Sequence, residues 1–326
     1  MTSQPQVLVI STDDDPQLDM LEKIPHVAGK DLSAFEQAAP RAEVILRWSG
    51  SRDLLRQVFL ASPNVRWVHS RSAGLDKVLF PELVASPVPL TNGSGVFSAS
   101  LGEFALAAIL FFAKDLARMR HNQRARRWEQ FDVEEIAGRT VGIVGYGDIG
   151  RAVATRVHAV GMKVLALKRH GPAKSESGPD PLPHPMVEAF FKPEELSAML
   201  ALCDYVVCSA PLTAETRHMI ADAAFAAMKP SAVLINIGRG PVVDQAALLR
   251  ALDQKRIRGA GLDVFEQEPI PHDDPIWGYE NVLISPHCAD QTRTWLDDAM
   301  RFFLAQYERF TKGEPLQNVV KKHLGY

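Results

Sequence analysis

The stretch TVGIVGYGDIG, Thr140 to Gly150, is an apolar run that breaks into three glycines spaced G-x-G-x-x-G. Thr140 to Val144 reads as a buried strand, and the run Arg151 to Val160 that follows reads as a helix. The strand before and the helix after matter more than the spacing, because glycine-rich loops are common. Gly145 permits the tight turn, Gly147 lets the backbone approach a pyrophosphate, and Gly150 lets helix and strand pack closely. The helix N-terminus offers backbone N–H groups and positive dipole to phosphates. Asp148 and Ile149 lie within the loop and count with the glycines as dinucleotide contacts. The ordinary alternative is a strand–turn–helix whose glycines serve geometry alone.

Working outward, strand-like runs alternate with helical ones, the pattern of a parallel sheet wrapped by helices. After Thr140 come KVLAL from Lys163, DYVVCSAP from Asp204, AVLINIG from Ala232, GAGLDVF from Gly259 and NVLISPH from Asn281. With TVGIVG these make six strands, enough for a doubly wound nucleotide-binding domain. Before the glycine loop, QVLVI (Gln6 to Ile10), EVILRW (Glu43 to Trp48) and VRWVHS (Val65 to Ser70) read as strands. Leu18 to Lys23 and Asp53 to Leu60 have helical spacing. One long helix is expected from Ser100 to Ala125, capped by Ser98 or Ser100 with Glu103 in its first turn. Thr294 to Thr311 is amphipathic. If it packs back on the N-terminal half, that domain is discontinuous.

The composition is that of an ordinary globular chain. Of 326 residues, 46% are hydrophobic and 23% charged, and the length suggests about two domains. Thirty-six basic against thirty-nine acidic residues leave a formal charge of −3, which gives no reason to invoke nucleic acid. The basic run RMRHNQRARRW (Arg118 to Trp128) reads as a solvated helix face or a dimer contact. Phe104 to Ala113 is too short for a membrane span. Polar Met1 to Pro5 and the short Val7 to Ile10 are not expected to form a signal peptide. Cys203, Cys208 and Cys288 make no disulfide framework, so a reducing cytoplasm is expected. No Cys-x-x-Cys or paired-histidine spacing suggests a metal.

Two further features bear on chemistry. In the NAD version of this fold an acid ends the second strand and binds the ribose 2′-hydroxyl. Here that strand ends LALKRH, with Lys168, Arg169 and His170 in the acid's place. A carboxylate there would repel a 2′-phosphate, whereas Lys168 and Arg169 would pair with one. NADP is therefore the expected cofactor, with NAD possible; His170 is read as a bystander. Second, Arg239, Glu268 and His287 follow the last three strands, at the edge where such sheets bind ligands. Singly, each has an ordinary explanation as a solvated charge or a turn residue. Together they make a 2-keto-acid reduction site. The histidine exchanges a proton with the carbonyl oxygen, the carboxylate orients it and favours imidazolium, and the arginine grips the substrate carboxylate.

These segments carry a resemblance. INIGRGPVVDQAALLRAL, GAGLDVFEQEP and NVLISPH, with SAGLDKV and APLTAETR, resemble the signature segments of the D-isomer-specific 2-hydroxyacid dehydrogenase family. The resemblance runs from about Val65 to the C-terminus. It implies an α/β fold of two doubly wound parallel-sheet domains, a Rossmann cofactor domain inserted into a flavodoxin-like substrate domain. The expected boundaries are 101–290 for the cofactor domain and 1–100 with 291–326 for the substrate domain. By motif, Arg239 would bind substrate, with Glu268 and His287 as the acid–histidine pair. Asp263 would hold the nicotinamide amide; Pro211, Thr216, the backbone at Ile237 and His287 would line the cofactor. The backbone of Ser72, Ala73 and Gly74 would receive the substrate carboxylate. A homodimer is implied, with Trp128 a candidate to reach a partner's site; Phe97 and Leu75 either shape the pocket or pack the core.

The sequence departs from the family pattern in places. Ala289-Asp290 follow His287-Cys288 where many members carry a glycine, which bears on pocket shape. Cys288 is expected to be a core or wall cysteine, pointing away from His287 on an extended backbone. The proline-rich Gly171 to Pro193 reads as a mobile surface loop. With Tyr326 last, no regulatory module of the long phosphoglycerate dehydrogenases is expected. The leading expectation is a cytoplasmic reductase of a small 2-keto acid such as glyoxylate or hydroxypyruvate. Its rivals are a dinucleotide-sensing binding protein of the same fold and an NAD-dependent D-lactate-type dehydrogenase.

Overall fold

Apolar runs buried on both faces become strands of parallel sheets covered by helices, and this chain builds two of them. The computed structural model describes residues 4–12, 14–169 and 185–325. Its chain divides into two compact units, Met1–Phe97 with Gln291–Tyr326, and Ser98–Asp290.

In the first unit, strands β1 (Val7–Ile10), β2 (His26–Gly29), β3 (Val44–Arg47), β4 (Trp67–Ser70) and β5 (Leu90–Asn92) form one sheet in the order β2-β1-β3-β4-β5. All its pairings are parallel, and the order is that of the flavodoxin-like fold. β2 and β5 carry no clear apolar run and were not legible in the sequence. Helices α1 (Arg52–Ala61) and α2 (Pro81–Ala85) connect strands. Ser51 caps α1 by accepting from the Leu54 N–H at 3.1 Å. Leu18 to Lys23 does not become an α-helix; a 3₁₀ turn over Pro16–Leu21 takes its place.

The core of this unit closes on β4. His69 there is fully buried, and burial lowers its pKa to about 3, so it is neutral. Thr91 Oγ1 lies 2.7 Å from its Nδ1 and accepts a second bond from Trp67 Nε1 at 2.8 Å. The C-terminal helix belongs to the same core. Phe303 stacks on Trp67 with centroids 5.4 Å apart, and Tyr307 donates to the Pro5 carbonyl at 2.7 Å.

The second unit opens with α3 (Ser98–Ala113) and α4 (Leu116–Arg124). The single helix expected over Ser100 to Ala125 is broken between them. Asp115 takes the left-handed conformation, φ 48°, and caps α4 by accepting from the Arg118 N–H at 3.2 Å. Aspartate tolerates that conformation because its side chain bonds nearby backbone. Ser98 and Ser100 are not caps but lie inside the first turn of α3. Glu103 falls beyond that turn and pairs with Arg156 at 3.3 Å.

The sheet follows: β6 (Thr140–Val144), β7 (Lys163–Leu167), β8 (Ala189–Phe191), β9 (Tyr205–Cys208), β10 (Val233–Asn236), β11 (Gly259–Leu262) and β12 (Val282–Ile284). Their order is β12-β11-β10-β9-β6-β7-β8, all parallel. Helices α5 (Asp148–Ala159), α6 (Leu196–Leu202), α7 (Asp222–Ala227) and α8 (Gln245–Asp253) link them, and α9 (Trp295–Thr311) is the C-terminal helix of the first unit. The six expected strands are present with a seventh, β8. It falls in the span read as a loop from Gly171 to Pro193, because AFF is short and follows a proline-rich stretch. Residues 171–184 of that span, with His170, lie outside the described residues.

Sequence order runs outward from β6 in both directions, so the strands reverse direction of winding there. The crevice at the carboxyl end of β6, between β7 and β9, is the switch point where such sheets bind ligands. Among the described residues, no helix is long and apolar enough to cross a membrane. Phe303→Ala is expected to lower stability by about 3–5 kcal/mol, as loss of a buried aromatic does. Denaturant unfolding followed by tryptophan fluorescence checks this, and a change near zero would place Phe303 outside the core.

Candidate active site

The residues singled out in the second unit, Trp128 apart, follow carboxyl ends of its strands. After β6 comes the glycine loop. Gly145 has φ 94°, and a Cβ there would lie 2.6 Å from the Ala210 backbone, so no other residue fits without displacing that loop. Gly147 is different: an added Cβ would meet nothing within 4 Å. Gly147 is the N-cap of α5 and supplies no side-chain cap, leaving the helix N-terminus to an external acceptor. These features fit a dinucleotide pyrophosphate. The Asp148 side chain accepts from Ser98 Oγ, so it ties the loop to α3, and its contribution to a phosphate would be its backbone N–H.

After β7, the Lys168 N–H donates to the Phe191 carbonyl at 2.9 Å, continuing the ladder to β8. Arg169 pairs with Glu215, which lies in the turn after β9. That turn is held by Thr216, whose Oγ1 accepts from Thr213 N–H at 2.8 Å and donates to the Pro211 carbonyl at 2.6 Å. Thr216 therefore builds the loop that presents exposed Pro211 and Glu215.

After β10, Ile237 is buried and its N–H donates to the Cys208 carbonyl at 3.0 Å. Asn236 shapes the next turn. Its Oδ1 accepts from Gly238 N–H at 3.1 Å and its Nδ2 donates to the Arg239 carbonyl at 3.1 Å. Arg239 stands on this turn, with Nη1 donating to the Gly238 carbonyl at 2.7 Å.

The last two strands bring the acid–histidine pair together. Glu268 accepts from Phe265 N–H through Oε1 at 2.9 Å, and its Oε2 lies 2.8 Å from His287 Nδ1. The hydrogen bond to Glu268 raises the His287 pKa above its usual value, against burial and the Arg239 charge, which lower it. The same interaction commits Nδ1, so any proton exchange by this imidazole would run through Nε2.

Asp263 anchors the turn that carries this histidine. It is 1% exposed, and its Oδ1 accepts from Ser285 Oγ at 2.5 Å and from the N–H groups of Cys288 and Ala289, each at 3.0 Å. Burial raises its pKa. His287 itself is left-handed, φ 54°, so the backbone is not extended as expected. The alternation argument for Cys288 fails with it: Cys288 is exposed, not a core cysteine. Sequence reading missed the anchoring roles of Asn236, Ser285 and Asp263, and it missed Glu215, although APLTAETR contains that residue.

The remaining candidates lie elsewhere. Ser72, Ala73 and Gly74 belong to the first unit, in the bend after β4. Asn92 Nδ2 donates to the Ala73 carbonyl at 2.6 Å, which fixes that bend. Leu75 and Phe97 are buried, and Phe97 meets Trp295 edge-on at 6.3 Å. Trp128 is 96% exposed.

Residues 106–289 match the family profile described as D-isomer specific 2-hydroxyacid dehydrogenase, NAD binding domain. The chain belongs to the D-isomer specific 2-hydroxyacid dehydrogenase family. It is 33% identical over 306 residues to a glyoxylate reductase of Korarchaeum cryptofilum, covering 89% of both chains. A family member from Xanthobacter autotrophicus, solved with NADPH and MES, superposes with a TM-score of 0.84 at 29% identity, covering 99% of this chain and all of that one. The NADPH-dependent glyoxylate/hydroxypyruvate reductase of Sinorhizobium meliloti, solved with NADP and sulfate, also gives 0.84, at 25% identity and the same coverage.

Within this dehydrogenase, the Glu268 contact is the largest cause raising the His287 pKa. A raised folded pKa means that the pair's stabilisation is complete below the unfolded value and is lost as pH rises through the folded one. His287 should therefore titrate above the ordinary histidine range, and Glu268→Gln should lower its midpoint; a histidine NMR titration reads both. An unchanged midpoint in Glu268→Gln would rule out the pairing.

Proposed function

We propose that this family member is a cytoplasmic, NADPH-preferring reductase of small 2-keto acids of the glyoxylate and hydroxypyruvate type, yielding D-2-hydroxy acids. The observation that carries the reading is the His287 Nδ1–Glu268 Oε2 contact of 2.8 Å, beside Arg239 at the edge that also bears the glycine loop. The relatives named glyoxylate and hydroxypyruvate reductases support the substrate class.

In this reading the cofactor, when bound, supplies the hydride. Arg239 holds the substrate carboxylate by a paired, charge-assisted contact and polarises the adjacent carbonyl. His287 gives its Nε2 proton to the carbonyl oxygen, and Glu268 steadies the imidazolium before that transfer. In the reverse direction a neutral His287 takes the proton back. Reduction accordingly falls as pH rises through the raised His287 pKa, and oxidation rises over the same range.

Most binding roles are carried over by motif from the family resemblance. The second unit, from Ser98 to Asp290, is the cofactor domain, and the first is the substrate domain. Gly145, Gly147, Asp148, Ile149 and Gly150 take the pyrophosphate, with Pro211, Thr216, Ile237 and His287 lining the cofactor and Asp263 holding the nicotinamide amide. Ser72, Ala73 and Gly74 offer backbone N–H groups to the substrate carboxylate. Lys168 and Arg169 pair with the 2′-phosphate. The family resemblance supports a homodimer.

The direct test follows NADPH oxidation with glyoxylate, hydroxypyruvate, pyruvate and longer 2-keto acids. Turnover is expected with the smallest; none with any, in folded protein, overturns the reading. His287→Ala should lower kcat by about 10²–10⁴, the range for losing a general acid, with NADPH Kd nearly unchanged. Parallel loss of both would make the histidine structural. Lys168→Asp with Arg169→Ala should cut the NADPH/NADH ratio of kcat/KM by roughly 10- to 150-fold, the worth of one charge-assisted hydrogen bond. An unmoved ratio rejects the cofactor assignment.

A further inference from the structure

The end of β7 lacks the carboxylate that the NAD form of this fold uses for the ribose 2′-hydroxyl. The structure supplies a carboxylate there from elsewhere. Arg169, just past β7, pairs with Glu215 of the turn after β9. β7 and β9 are not neighbours: β6, bearing the glycine loop, lies between them. The pair therefore joins two loops across the carboxyl end of β6, the place where the cofactor's adenosine half lies in a doubly wound sheet.

Its setting argues that Glu215 is held for a purpose. The turn presenting it is braced by Thr216 through Thr213 and Pro211, and the Arg217 N–H donates to the Thr213 carbonyl at 3.0 Å. Glu215 itself is 67% exposed at its side chain and Arg169 31%. An exposed pair of this kind is weak, so its partners can be exchanged at small cost.

We propose that Glu215 is the displaced acid of the ribose site, and that with Arg169 it makes the site two-faced. Glu215 accepts a hydrogen bond from the 2′-hydroxyl of NAD(H). Arg169 takes the 2′-phosphate of NADP(H), and the phosphate must first displace Glu215 from the guanidinium. A phosphate carrying up to two negative charges wins that exchange against one carboxylate, but Glu215 still repels it. Cofactor choice is thus a contest between Glu215 and the 2′-phosphate for one arginine. Measurable use of NADH is the expected outcome of that contest. This inference rests on the reading that Arg169 faces the adenosine ribose.

The test uses the full chain and two fragments, 5′-AMP and 2′,5′-ADP, with calorimetric Kd values for the wild type, Glu215→Gln and Arg169→Ala, and steady-state kinetics with both cofactors. Glu215→Gln should tighten 2′,5′-ADP several-fold, weaken 5′-AMP and NADH, and raise the NADPH/NADH ratio of kcat/KM by about tenfold, as loss of one charged hydrogen bond implies. Raising salt should narrow the difference between the wild type and Glu215→Gln for 2′,5′-ADP, because the exposed repulsion is screened. If Arg169→Ala weakens 2′,5′-ADP but Glu215→Gln leaves both fragments unchanged, Glu215 is an ordinary surface ion-pair partner and the inference is overturned. If Arg169→Ala also leaves 2′,5′-ADP unchanged, the underlying assignment of Arg169 falls and takes the inference with it. Melting curves of both variants confirm that these exposed substitutions leave the fold intact.

Discussion

Two loops of the cofactor-type sheet converge on Ala210, which stands on a third, and the site depends on how closely they approach it. A Cβ on Gly145 would lie 2.6 Å from the Ala210 backbone, and one on Gly238 would lie 2.8 Å from the Ala210 carbonyl oxygen. The loops after β6, β9 and β10 are thereby held in contact at the switch point. Two consequences follow. The first is the free α5 N-terminus behind Gly147. The second is the position of the turn after β9, which carries Glu215 to Arg169.

Farther along the same edge, electrostatics is organised by carboxylates, of which Asp263 is buried. Asp263 ties down the turn on which His287 adopts a left-handed backbone, so the imidazole is aimed by hydrogen bonds one and two residues away. Glu268 then raises the affinity of that imidazole for its proton, while Arg239 opposes it. Burial also raises the pKa of Asp290, which feels both His287 and Arg239. Asp290 adds a second titratable group near the histidine. The balance of opposing charges is compatible with the proton exchange proposed for this histidine.

Much of this was legible because it is local. TVGIVG announces its strand by an apolar run, and G-x-G-x-x-G announces its loop because a Cβ at Gly145 or Gly150 would collide with backbone. The two-sheet parallel fold follows from the alternation of such runs with helical ones. Elements whose signal is not local were misread. AFF at 189–191 is too short to declare itself and becomes a strand only because Leu165 to Leu167 offers a free parallel edge. The helix from Ser100 breaks at Asp115 because its side chain caps a new helix, a choice that propensity alone does not make. Cys288 looked buried only so long as His287 was assumed extended.

The sequence by itself determined the α/β class, the glycine loop, the basic end of β7, and the three chemical groups Arg239, Glu268 and His287. Each is written in short segments whose periodicity or residue type has one ready physical meaning. Only the tertiary structure decided that Glu268 reaches His287, that Asp263 holds the histidine's turn, and that Glu215 meets Arg169 from 46 positions away. Those meetings are set by strand order and loop packing. They depend on which strands become neighbours in space, and no window of sequence records that.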